Sequence, residues 1–362
     1  MILSNLVKAQ SGQDDPFAEV IESFYLETKD GLFFAVKGFE HPPDRRIAVL
    51  RYMPDTTGGD RRKGGKSYRR LYHFDEQEQQ ITSTYPQYLA FDPVFQTTLQ
   101  SVPESMVQKI YDPRQRFREL EQACMRAEIE EDAFAFLCLL QNQAQVPSSA
   151  LGITGSLLTG LYTEKSDLDA VVFGTENCRR VHRALLRMLD ERSCTDLSRL
   201  DAAGMQELFE QRVADTHMAY EKFVRLEKGK ANQGRFRQRA YFVRFVRSAH
   251  EAGHAYGSLR YTPIGRAVIT ASIADDQDAI FTPCRYPLSN VCLLEGPQQS
   301  IPNEIISFRG RFCEQAHAGE LVYAAGMLER IENDRGDLHH RLLLGNFPED
   351  TLISSSLTAL EL

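Results

Sequence analysis

Leu151-Gly152-Ile153-Thr154-Gly155-Ser156-Leu157-Leu158-Thr159-Gly160 is followed, after a short interval, by Ser166-Asp167-Leu168-Asp169-Ala170-Val171-Val172-Phe173. The first stretch reads as an apolar strand that ends in Gly-Ser and turns into a short helical segment. The second reads as a buried strand opened by two carboxylates one residue apart. Side chains at i and i+2 of a strand project to the same face. Asp167 and Asp169 are therefore expected side by side. Two like charges held that close repel unless a cation lies between them. A divalent ion with oxygen ligands answers that need, and Mg²⁺ characteristically takes one or two protein carboxylates plus substrate phosphates.

The rest of the chain sets this unit in context. At 362 residues it has material for two or three domains. A hydrophobic share of 42% and a charged share of 25% are those of an ordinary globular protein. The net charge of −8 excludes a globally basic nucleic-acid coat, so any phosphate or nucleic-acid site must be a local patch. The opening Met1-Ile2-Leu3-Ser4-Asn5-Leu6-Val7-Lys8 lacks the basic-then-apolar layout of a secretory leader. No apolar run approaches a membrane span. A cytoplasmic location with no membrane partner is the expectation. The seven cysteines are scattered without a CxxC, which points to reduced, largely buried thiols.

Upstream, Ser23–Thr28 and Leu32–Gly38 flank Lys29-Asp30-Gly31, a hairpin signal. Ile47–Met53 and Tyr68–Phe74 read as further strands, with the Arg61–Lys66 loop between them as a solvated tip. Phe117 to Gln145 carries one helical period, and Glu176 to Glu191 another. Asp201 to Glu227 reads as a polar helix or helix pair. Strand patterns return at Tyr241–Val246 and Ala267–Ala274, and short glycine-punctuated strands from 280 to 346 suggest a barrel or sandwich. A loose tail follows Asn346. These boundaries give an N-terminal β-rich module (1–114), an α/β core (115–280) and a C-terminal β-barrel-like module with its tail (281–362).

Gly155-Ser156 after a strand, followed by Asp167-Leu168-Asp169 opening the next, resembles the signature of the DNA polymerase β–like nucleotidyltransferase superfamily. Phe33–Pro43 and Ala279–Cys284 are similar to segments of prokaryotic, mainly archaeal, predicted nucleotidyltransferases. The resemblance implies an α+β fold whose core is a mixed sheet with helices, flanked by antiparallel β modules. It implies transfer of an NMP from an NTP to a hydroxyl acceptor, with Asp167 and Asp169 holding two Mg²⁺ ions. Gly155 would admit the triphosphate to backbone amides, and Ser156 would hydrogen-bond a phosphate oxygen. The family places a third carboxylate inside a later strand. Here Tyr241–Val246 carries Arg244 at its centre and Ala267–Ala274 carries Thr270 and Ser272, so Asp275, Asp276 and Glu251 are the nearby substitutes and Asp275 is taken as the candidate third acid.

Arg244 alternates onto the face of Phe242 and Val246, as a phosphate clamp or as the partner of an Asp. Lys222, Arg225, Lys228, Lys230, Arg235, Arg237, Arg239, Arg244 and Arg247, interleaved with aromatics, read either as a surface that tracks RNA or the triphosphate, or as a solvated helix end and loop. Three functions remain open on the sequence: an NTP-dependent transferase acting on RNA or another hydroxyl, a catalytically silent nucleotide- or RNA-binding relative, and modification of a protein hydroxyl. The acceptor, the base preference and the oligomeric state are not encoded legibly.

Overall fold

The computed structural model describes residues 15–213 and 218–354. The opening stretch Met1–Lys8 and the end of the tail lie outside them. The fold is α+β, built on three sheets.

The N-terminal module comprises β1 (Tyr25–Thr28), β2 (Phe33–Val36), β3 (Arg45–Pro54), β4 (Arg61–Lys63), β5 (Lys66–Arg70), α1 (Phe74–Thr84), β6 (Leu89–Asp92), β7 (Thr97–Pro103) and β8 (Val107–Tyr111). The β1–β2 hairpin pairs Tyr25 with Ala35 across the expected turn. Gly31 supplies the positive φ, +80°, that the turn requires. Strand β3 alternates strictly, burying Ala48, Leu50 and Tyr52 and leaving Val49 and Arg51 on its other face. The strand expected over Tyr68–Phe74 stops at Arg70, and α1 begins at Phe74.

The core contains α2 (Pro113–Gln122), α3 (Glu128–Ala144), β9 (Leu151–Ile153), α4 (Gly155–Thr159), β10 (Leu168–Phe173), α5 (Thr175–Glu191), β11 (Leu197–Ser198), α6 (Ala202–Arg212), α7 (Tyr220–Glu227), β12 (Gln233–Phe236) and β13 (Arg239–Val246). The single helix expected over Phe117–Gln145 is two. Helix α2 opens on Pro113, where the Asp112 carboxylate accepts the Arg114 N–H, and it ends before Ala123. The core sheet runs β11-β12-β13-β10-β9, with β10 antiparallel to β9 and parallel to β13. Leu168, Ala170, Val172, Val243 and Phe245 pack with α3 and α5 on one face. Val171, Phe173 and Val246 point the other way and pack with Phe24, Leu26, Val36 and Leu50 of the N-terminal module. That second face, which joins the modules, carries the acids.

The C-terminal module is β14 (Leu259–Ile273), β15 (Cys284–Glu295), β16 (Glu304–Ser307), β17 (Leu321–Asn333), β18 (Leu338–Leu344) and β19 (Thr351–Ser354). Strand pairing passes from β14 through β15, β16, β18 and β17 and returns to β14, closing a five-stranded barrel. Its interior holds Ile269, Tyr286, Ile305, Val322, Leu328 and Leu342. Two sequence boundaries change. Strand β14, assigned to the core, belongs to the barrel because its whole length pairs with β17. The loose tail after Asn346 is ordered at β19, which pairs with β17 at Val322–Ala325. All seven cysteines are free. Cys178, Cys284 and Cys313 are buried, but Cys124 and Cys292 are exposed, against the expectation of burial. No helix among the described residues is long and apolar enough to cross a membrane.

Candidate active site

The Thr154 N–H donates to the Asp169 carbonyl at 2.9 Å, extending the β9–β10 pairing to the residue before α4. The chain then turns at Gly155 with φ +65°. A Cβ placed there would lie 2.1 Å from Asp169 Oδ2. Gly155 is thus required twice, by a left-handed backbone and by a carboxylate resting on its Cα. Gly155 and Ser156 are buried, and neither is among the residues that line the neighbouring cleft. Gly155, expected in a phosphate cradle with Ser156, seats Asp169.

The cleft lies where the three modules meet, encloses about 1520 Å³, and has Asp167 and Asp169 in its wall. Thirteen lysines and arginines line it against ten acids, so a locally basic cavity sits in a chain of net charge −8. Neither Asp167 nor Asp169 forms an ion pair among the described residues. Burial, and then the adjacent Asp169 carboxylate, push the Asp167 carboxyl above the ordinary aspartate range, against the opposing pull of Arg70 and Arg61.

Four basic residues of the N-terminal module stand at the cleft or at the segment that leads to the acids, and two of them, Arg61 and Arg70, act on Asp167. Arg61, expected at a solvated tip, is buried, and its Nη1 donates to the Leu161 carbonyl at 2.7 Å and to Ser166 Oγ at 3.3 Å. Ser166 Oγ also accepts the Thr163 N–H at 2.9 Å. Arg61 thereby fixes the turn that delivers Asp167. Next to it, Lys63 Nζ donates to the Thr159 carbonyl and lies 4.8 Å from the centre of the Tyr111 ring. Arg51 of β3 and Arg70 of β5 reach the cleft from the N-terminal module. The signal available for Arg51 was a lone charge inside the otherwise apolar Ile47–Met53 alternation.

Arg244 lines the same cleft. On β13 it pairs in register with Val171, while Phe242 pairs with Asp169. Its side chain therefore shares the face of Asp169 one step further along the sheet, which settles its direction. Of the two roles held open, partner of an Asp is excluded among the described residues, since Arg244 forms no ion pair. Its one ring contact is Phe242, at 5.3 Å. Asp275 is not the third acid. It does not line the cleft, and its carboxylate accepts the Gln277 N–H at 2.7 Å, closing a turn beyond β14. Among the described residues no group of three or more His, Cys, Asp or Glu stands where it could hold a metal.

The basic run from Lys222 to Arg247 is mostly spent on internal pairing. Lys230 is buried against Glu227 at 2.8 Å, Arg237 and Arg239 share Asp132 at 2.8 and 2.9 Å, and Arg247 meets Asp278 at 2.6 Å. These bonds tie elements together and match Lys230, Arg237, Arg239 and Arg247 to acids.

No family model matches the chain. Over 332 residues it is 26% identical to uncharacterized protein MJ1086 of Methanocaldococcus jannaschii, covering 90% of this chain and 95% of that one. No solved structure matches it.

Proposed function

We propose that this chain is a Mg²⁺-dependent nucleotidyltransferase that moves an NMP from an NTP to a hydroxyl acceptor, on a core of the polymerase β–like type. The observation that carries the reading is the pair Asp167 and Asp169, carboxylates without ion pairs among the described residues, just before and just inside the start of β10, in the wall of a large basic cleft. The donor set fits Mg²⁺. It offers hard oxygen ligands from two side chains, too few for a protein cage, so substrate phosphates and water complete the shell. When bound, such ions neutralise phosphate charge and sharpen the attacking hydroxyl. The chain's own contribution is positioning. Gly155 seats Asp169, Arg61 holds the turn before Asp167, and the arginines of the cleft stabilise charge on the phosphates. A volume of about 1520 Å³ exceeds the roughly 300–1,000 Å³ of a single small-molecule pocket, which leaves room for an acceptor beside the nucleotide. RNA is the acceptor class we test first.

One observation favours a second reading. Arg244 occupies the strand position where a third carboxylate would help activate the acceptor, so the chain would bind a nucleotide without transferring it. Pyrophosphate release from each NTP, with and without a pool of RNA acceptors, decides between the two. Mg²⁺-dependent release that disappears in Asp169→Asn supports transfer. Mg²⁺-dependent NTP binding with no release from any combination supports the silent binder.

A further inference from the structure

Several arginines that line the cleft are matched to acids: Arg247 pairs with Asp278, Arg285 with Glu304 and Arg341 with Glu329. Arg51, Arg70 and Arg244 are half-buried in the same wall with no ion pair among the described residues. They come from strands β3, β5 and β13, so two modules contribute to one cluster. Burial and the like charges of Arg70 and Arg244 hold the Arg51 guanidinium below its usual range, so both act on Arg51. Against the opposing effect of burial, neighbouring tyrosines and the counter-charge of Asp169 hold the Arg70 guanidinium above its usual range. Lys37 adds a further cation facing Arg51 and Arg244, but it is matched by Glu22 at 2.8 Å.

Partly desolvated charges without partners are costly, and like charges gathered together cost more. An arrangement of this kind is satisfied by a multivalent anion. Guanidinium is the side chain that binds phosphate through two parallel hydrogen bonds. Gly155 and Ser156 are buried and do not line the cleft, whereas these three groups line it together with the acids.

We propose that Arg51, Arg70 and Arg244 form a three-armed clamp for an oligophosphate, namely the triphosphate of the NTP. The oligophosphate chemistry follows from the cluster alone, and only the choice of an NTP as its source rests on the transferase reading. The clamp works across the junction of the N-terminal module and the core.

The test is calorimetric titration of the full chain with inorganic tripolyphosphate, without Mg²⁺, and separately with ATP and Mg²⁺. Arg51→Gln, Arg70→Gln and Arg244→Gln are each expected to weaken tripolyphosphate binding by about 10- to 100-fold, the range for losing a charge-assisted hydrogen-bonded group. The melting temperature of Arg51→Gln should hold or rise, because that substitution relieves burial and repulsion by Arg70 and Arg244. Arg62→Gln, at an exposed residue outside the cleft, is expected to bind as the unaltered protein does. Asp169→Asn is expected to keep or improve tripolyphosphate binding. Unchanged tripolyphosphate affinity in the three arginine variants overturns the clamp, whatever ATP does. Retained clamp behaviour with ATP binding indifferent to Mg²⁺ and to Asp169→Asn leaves the clamp standing and removes the transferase reading. If a variant does not fold, phenylglyoxal modification of the unaltered protein decides. Tripolyphosphate should protect the peptides carrying residues 51, 70 and 244 but not that carrying Arg62, and equal modification with and without it overturns the proposal.

Discussion

Replacing Gly155 by alanine probes the contact that seats the candidate metal ligand. The new Cβ would meet Asp169 Oδ2 at 2.1 Å, its Cγ at 2.9 Å and its Cβ at 3.2 Å. Rotating the carboxylate alone does not clear the contact, since the Asp169 Cβ is itself close. The oxygen must retreat by about 1 Å or more to regain van der Waals distance, and the start of β10 must move with it. The left-handed φ of +65° adds its own cost, roughly 1–2 kcal/mol for an alanine. Overpacking adds about 1–3 kcal/mol. Gly155→Ala should therefore destabilise the fold by about 2–5 kcal/mol in denaturant titration. A displacement of about 1 Å at a reacting centre is worth on the order of 100-fold in turnover, and pyrophosphate release should fall accordingly. The decisive measurement is a double-mutant cycle. In an Asp169→Ala background most of the steric part is gone, and Gly155→Ala should cost only the backbone part. If its cost is the same in both backgrounds to within about 0.5 kcal/mol, the sites are independent and the seat does not exist.

Other consequences can be checked alongside. Because the Asp167 carboxyl is raised above its unfolded value, its contribution to stability is fully present below the unfolded pKa and is lost as pH rises through the folded one. Asp167→Asn should accordingly raise the melting temperature at neutral pH in the absence of Mg²⁺. The gain should vanish in acid below about pH 4, and a gain that grows in acid would contradict the burial argument. Lys37 is held down to about 8 by burial, against the pull of Glu22. Oligophosphate affinity should therefore weaken as pH rises through about 8, and a flat titration between pH 7 and 9 would remove Lys37 from the cleft's field. Arg61→Ala deletes two hydrogen bonds to the turn before Asp167. It should cost about 2–4 kcal/mol and loosen Mg²⁺-dependent NTP binding. Unaltered chemical denaturation would show that the turn stands without it.

Local periodicity made part of the site legible. The i, i+2 spacing of Asp167 and Asp169 pointed to one place, and both line the cleft, although β10 begins at Leu168 and Asp167 stands one residue before it. The Asp30-Gly31 turn set the first hairpin, and the alternation of β13 put Arg244 on the face of Phe242. The break between α2 and α3 escaped the same reasoning, because residues 123–127 carry no proline or glycine to mark it.

What the sequence determined alone is the direction each side chain takes within its own element, because that follows from backbone geometry a few residues long. The rest was decided by docking. Residues 51 and 70 stand far along the chain from 244, and they meet only because Val171, Phe173 and Val246 bury against the N-terminal sheet. The same packing turned the Arg61 strand from a solvated tip into an anchor, and neutralised Arg237, Arg239 and Arg247 against acids remote in sequence. Whether a charge is free or matched depends on which surface folds against it, and apolar burial between elements, which is non-directional and blind to sequence distance, made that choice.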